Sequence, residues 1–208
     1  MARPLRIQFD GAFQHVTARG DRRESIFHDD IDAGMFESLL ADVVSRYRWR
    51  CHAYVLMPNH YHLLIETPGG ELSLGMRQLN GVYTQRFNRR YETTGHVFQG
   101  RFHSELIHKE SHLTETTRYI ALNPVRAGLV KRPEKWRRSS YAATAGIVAA
   151  PAWLEVEMTL KRFADDPAVA RAEFISFVLG DPERWDAAGA GTRPWERRVP
   201  PGDRASRA

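Results

Sequence analysis

Arg50-Cys51-His52-Ala53-Tyr54-Val55-Leu56-Met57, then Pro58-Asn59, then His60-Tyr61-His62-Leu63-Leu64-Ile65-Glu66-Thr67 is the stretch that decides the fold. Two runs rich in strand-forming residues flank a turn pair, so the segment reads as a β-hairpin. Upstream, residues 12–18 mix β-branched and aromatic residues, and the basic loop Arg19 to Arg23 follows them as the end of a strand. Between these strands, Met35, Leu39, Leu40, Val43 and Val44 recur at helical spacing from Asp30 to about Arg48. Downstream, Leu72, Met76, Leu79, Tyr83 and Phe87 predict a second helix over 72–90. Residues 97–108 then suggest an irregular start, a bend at Gly100, and a strand. Residues 112–123 read as a short helix ended by Pro124, because the residue before a proline disfavours the α conformation.

The order is therefore strand, helix, strand, strand, helix, strand, helix. Its first six elements match an α+β, ferredoxin-like or RRM-like arrangement, an antiparallel sheet with helices on one face. The seventh, which carries Tyr119, is an addition. Beyond residue 140 small-residue runs precede a helix around 153–163, and a further helix starts at Asp166-Pro167 and ends at Gly180. These divisions predict a domain over 1–141, a helical extension over 142–186 and a flexible, Gly-, Pro- and Arg-rich tail over 187–208.

Composition bounds the chemistry. The 208 residues are 42% hydrophobic and 11% aromatic, enough for a packed core, which excludes disordered and collagenous classes. Cys51 is the single cysteine, so internal disulfides and cysteine zinc cages are excluded, as suits a reducing cytoplasm. No apolar run is long enough for a membrane helix, and the first residues lack a signal-peptide core, so the expectation is a cytoplasmic protein without a membrane partner. The net charge of +5 is uneven: through residue 140 there are 21 basic and 15 acidic residues, and after it 9 and 10. All nine histidines also lie in the first part, the last being His112. A basic face of this kind is compatible with nucleic acid or with an ordinary solvated surface.

His60 and His62 are two apart on a strand and share a face, so both could reach one metal ion, although an isolated His-x-His is more often a polar sheet face. Tyr119 and Asn123 are four apart and share a helical face. By spacing alone that pair is a core aromatic and a helix-terminal amide; if its face looks at the hairpin, a phenol and a carboxamide meet two imidazoles.

Three segments carry a resemblance: Met57-Pro58-Asn59-His60-Tyr61-His62-Leu63-Leu64-Ile65-Glu66, Gly95-His96-Val97-Phe98-Gln99-Gly100-Arg101-Phe102, and Tyr119-Ile120-Ala121-Leu122-Asn123-Pro124-Val125-Arg126-Ala127-Gly128. In this order they resemble the signatures of single-tyrosine HUH transposases, more narrowly those of the REP-associated tyrosine transposases. The resemblance spans about residues 8–141. It implies that Tyr119 is the nucleophile, that His60 and His62 are the paired metal histidines, and that Asn123 stands where the family places a third, polar ligand. Tyr61 departs from the bulky apolar residue usual between the histidines; strand alternation points it away from them.

The implied reaction is cleavage and rejoining of single-stranded DNA near REP-type hairpins through a 5′-phosphotyrosine link. Imidazole and amide-oxygen donors suit a divalent ion, Mg²⁺ or Mn²⁺. Candidate DNA contacts are Arg19, Arg22 and Arg23 in the first loop, Arg77, Arg86, Arg89 and Arg90 on the second helix, and Arg101. Phe98, Phe102 and His103 are stacking candidates, with the phenylalanines favoured as core. The partner is hairpin or single-stranded DNA, and the protein works as a monomer or homodimer. Two other readings remain at this level: a catalytically silent hairpin DNA- or RNA-binding protein, and a metallohydrolase that uses water as its nucleophile.

Overall fold

The computed structural model describes residues 9–180. Four strands, β1 (Ala12–Arg19), β2 (Arg50–Met57), β3 (His60–Thr67) and β4 (His103–Ile107), form one antiparallel sheet in the order β2-β3-β1-β4. Helices α1 (Asp30–Arg46) and α2 (Leu72–Tyr91) connect them in the ferredoxin-like manner, and α3 (Glu110–Arg126) follows. The Asp29 carboxylate caps α1 by accepting from the Ile31 and Asp32 backbone N–H groups, which would otherwise lack partners.

Alternation along β3 sorts its side chains. Tyr61, Leu63 and Ile65 enter a core with Phe36 and Leu40 of α1 and Met76, Leu79 and Tyr83 of α2. The Tyr61 hydroxyl donates to Asn80 Oδ1 at 2.6 Å, so this residue points away from the histidines as its strand position requires. Leu64 belongs to the opposite face, where Ala53, Val55, Met57, Ile107, Leu113 and Ile120 pack, with Tyr119 against them. The added helix α3 therefore covers the face that α1 and α2 leave open. Phe98 and Phe102 are buried in the α1/α2 core, as expected.

Two helix boundaries differ from expectation. Pro124 does not end α3; the helix runs on to Arg126. A proline inside a helix removes one backbone hydrogen bond and costs about 3 kcal/mol. Packing on two sides outweighs that cost, because Ile120 faces the sheet while Ala121 and Leu122 are buried against Leu160, Phe174 and Val178. Termination falls instead at Gly128, whose φ of 69° closes the turn with its N–H donating to Val125 O at 2.9 Å.

The predicted helix over 153–163 shrinks to α5 (Val156–Leu160). Its first residues serve the sheet: Leu154 bridges Cys51 in parallel, and the Glu155 N–H donates to Cys51 O at 2.8 Å. A short α4 (Tyr141–Thr144), absent from the sequence reading, precedes it, and α6 (Pro167–Leu179) has the expected Asp166 cap and Gly180 end. The predicted tail over 187–208, and the end of the extension before it, lie outside the described residues.

Candidate active site

Register places the site. Antiparallel pairing sets Arg19 of β1 opposite His60 and Thr17 opposite His62, while α3 crosses the same face. There the structure brings together His60, His62, Tyr119 and Asn123. The Tyr119 ring stands edge-on to His62, with centroids 5.3 Å apart and planes at 85°. Asn123 Nδ2 lies 3.4 Å from His62 Nε2, and the His60 and His62 rings are 5.1 Å apart. His62 is fully buried, Asn123 is buried, and His60 and Tyr119 are partly exposed.

Hydrogen-bond logic assigns the ring protons. Asn59 Oδ1 only accepts, so the 2.7 Å contact makes His60 Nδ1 the donor and leaves its Nε2 as a lone pair. An Asn123 N–H donating to His62 Nε2 likewise requires the proton on His62 Nδ1, which donates to His15 Nε2 at 3.0 Å. Burial, helped by the Arg19 guanidinium, pushes the His60 imidazole down to about 4, so it is neutral near pH 7. Two imidazoles, each held through Nδ1, and a carboxamide whose oxygen is a hard donor form a donor set suited to a divalent cation. Among the described residues no group of three or more His, Cys, Asp or Glu side chains is placed to hold a metal ion.

Two neighbours were not among the sequence candidates. His15 is buried, stacks on His62 at 5.2 Å, and meets the Tyr119 edge at 5.9 Å. Its signal lies in the β1–β3 register, which no local pattern announces. Arg126 places its guanidinium 5.3 Å from the Tyr119 ring centroid. Positions 119, 123 and 126 follow the i, i+4, i+7 spacing of one helical face, so this residue was findable.

The arginine candidates separate. Arg19 and Arg101 line a small cleft of about 130 Å³ with His60, Gln99 and His103. Arg22 and Arg23 are exposed beside it, on a turn whose Arg23 O accepts from Asn59 Nδ2 at 3.1 Å. Arg77 is exposed on the α2 face that shares a groove with Arg101. Arg86 and Arg89 are exposed, and Arg86, nine residues after Arg77, lies about half a turn round the axis from it. Arg90 leaves the set of free DNA contacts. Its guanidinium is bound to Asp29 and to fully buried Asp32, and it stacks on Tyr91, so its charge serves to lock α2 to the start of α1.

The model of the family described as "Transposase IS200 like" matches residues 10–123, which include His60, His62, Tyr119 and Asn123. The chain belongs to the IS200-like transposase family. This transposase is 29% identical over 133 residues, 58% of its length and 74% of the relative's, to a protein of Haemophilus influenzae named as a REP-associated tyrosine transposase. Its fold also resembles that of a solved REP-associated tyrosine transposase bound to a REP hairpin, with a TM-score of 0.61 and 20% identity over 75% of this chain and 93% of that one. Among the described residues no helix is long and apolar enough to cross a membrane.

Proposed function

We propose that this chain cleaves and rejoins single-stranded DNA beside REP-type hairpins, with Tyr119 as nucleophile in its own chain. The supporting observation is the seating of α3, which holds the Tyr119 ring 5.3 Å from His62 and Asn123 within 3.4 Å of the same imidazole. A tyrosine borrowed from a second copy would not need that placement. The hairpin partner is suggested by the relatives' names and by the basic cleft of Arg19 and Arg101 at His60.

In this reading Tyr119 Oη attacks the scissile phosphorus as its phenolic proton departs to water. The bond from phosphorus to the 3′ oxygen breaks, that oxygen takes up a proton, and a 5′-phosphotyrosine forms. A second 3′ hydroxyl then attacks the same phosphorus and returns the tyrosine. The chain needs no nucleotide cofactor, since the phosphodiester energy is conserved in the link. His60, His62 and Asn123 would hold the divalent ion, Mg²⁺ or Mn²⁺. Bound there, such an ion polarises the phosphate and stabilises charge on the departing oxygen. Arg19 and Arg101 orient the strand by its phosphates, and Arg22, Arg23 and Arg77 extend that surface. Leu160 of α5 and Phe174 of α6 brace α3 from behind, and the protein acts on DNA in the cytoplasm.

The test is incubation with Mn²⁺ and a 5′-labelled REP-type hairpin with single-stranded flanks. Wild type should release a shortened labelled strand and form a protein–DNA adduct stable to denaturation. Tyr119→Phe should do neither. Equal cleavage by both proteins would point to water as the nucleophile; binding without cleavage by either would point to a silent hairpin binder.

A further inference from the structure

Between α2 and the chain from His96 to Phe102 runs a groove of about 760 Å³, within the range of sites that take small ligands. Arg77, Asn80, Thr84 and Gln85 line it from α2 at spacings that put them on one helical flank. Phe98 and Arg101 stand on the opposite wall. Arg101 also lines the cleft at His60, so one guanidinium borders both the groove and the candidate active site.

The far wall is anchored. The Asp21 N–H donates to Val97 O at 2.9 Å and the Gln99 N–H to Arg19 O at 2.8 Å, which zips residues 97–99 onto the end of β1. On α2, Asn80 Oδ1 accepts the Tyr61 hydroxyl, which turns its Nδ2 donor away from Tyr61. An apolar wall, side-chain amides and two guanidinium groups match the parts of a nucleotide: a flat ring, a hydrogen-bonding edge and a phosphate. A bare phosphate would have no use for the apolar wall, and an apolar peptide none for the arginines.

We propose that this groove takes an unpaired nucleobase of the substrate strand close to the scissile phosphate, with Asn80, Thr84 and Gln85 meeting its edge and Arg77 and Arg101 its phosphates. The proposal rests on the strand-cleavage reading above and adds to it a place where base identity is read.

The full-length chain carrying Tyr119→Phe, which keeps the substrate intact, is titrated with fluorescent hairpin DNA whose flanking positions are made abasic one at a time. Removing the base at one position near the hairpin foot should weaken binding about fivefold or more, the lower end of base-stacking effects. In Thr84→Ala/Gln85→Ala on the same background, intact flank should bind more weakly and that abasic position should cost nothing further. Hairpin without flanks should bind both proteins alike, which checks that the double variant is folded. A flat abasic scan, or equal losses in both proteins, overturns the groove. Failure of the cleavage reading looks different: wild type forms no adduct while the scan retains its sensitive position. Absence of all DNA binding overturns both.

Discussion

His15→Ala removes a side chain that never touches the scissile phosphate in the proposed reaction, yet it should impair cleavage. His15 is 1% exposed, and its Nε2 accepts from His62 Nδ1 at 3.0 Å. That bond holds the proton on Nδ1 and the lone pair on Nε2, the atom beside Asn123. Withdrawing a partner from a buried polar atom costs about 1–3 kcal/mol. Loss of an outer hydrogen-bond partner of a metal-binding histidine lowers metal affinity about 10–100-fold, equivalent to about 1.4–2.8 kcal/mol at 1.4 kcal/mol per tenfold. The assay is cleavage rate against Mn²⁺ concentration, paired with isothermal titration of Mn²⁺ into DNA-free protein. The Mn²⁺ midpoint should rise by that factor, binding of hairpin DNA should persist, and His15→Gln, which can still accept, should recover part of the loss. A His15→Ala protein with the wild-type Mn²⁺ midpoint refutes the reasoning, whatever its stability.

Three other perturbations test separate parts of the account. Arg90→Ala should lower the urea midpoint, because buried Asp32 loses its cation, whereas Arg101→Ala should leave the midpoint unchanged and weaken hairpin binding; the reverse pattern would return Arg90 to the DNA contacts. Gly75→Ala should destabilise the fold by about 1–3 kcal/mol, since the new methyl would sit 2.2 Å from Trp49 Cζ2 and force α2 off the indole; an unchanged midpoint counts against this packing. Burial lowers the pKa of His52 below its ordinary 6.5, despite its Glu66 partner, so the unfolded chain binds the extra proton first. Stability should therefore be fully present above pH 6.5 and decline as pH falls from there toward the folded value; His60, whose pKa is also lowered, adds in the same direction, and His52→Asn should flatten part of the slope between pH 7 and 5.

Local pattern carried the elements whose logic is local. The hairpin over 50–67 and the Asp166-Pro167 start of α6 follow from alternation, turn chemistry and capping, and the structure places them where those signals do. Pattern failed where a distant surface decided the matter. Pro124 reads as a stop until α6 is seen packed on the residues before it, and the Trp153 periodicity reads as helix until Leu154 is found on the edge of β2. Arg90 reads as a solvated charge on a basic helix because its acidic partners lie about 60 residues earlier in the chain. The candidate site divides in the same way. Tyr119, Asn123 and Arg126 share a helical face, and His60 and His62 share a strand face, so both halves are visible separately. That the halves meet is a statement about the β1–β3 register and about which sheet face α3 covers. His15 belongs wholly to that second kind of information: its value comes from Thr17 standing opposite His62, one strand position from where a slip would turn His15 into the α1/α2 core and Val16 toward Tyr119. The site is thus held by sheet pairing as much as by its own side chains, and perturbing β1 should reach Tyr119 through His62.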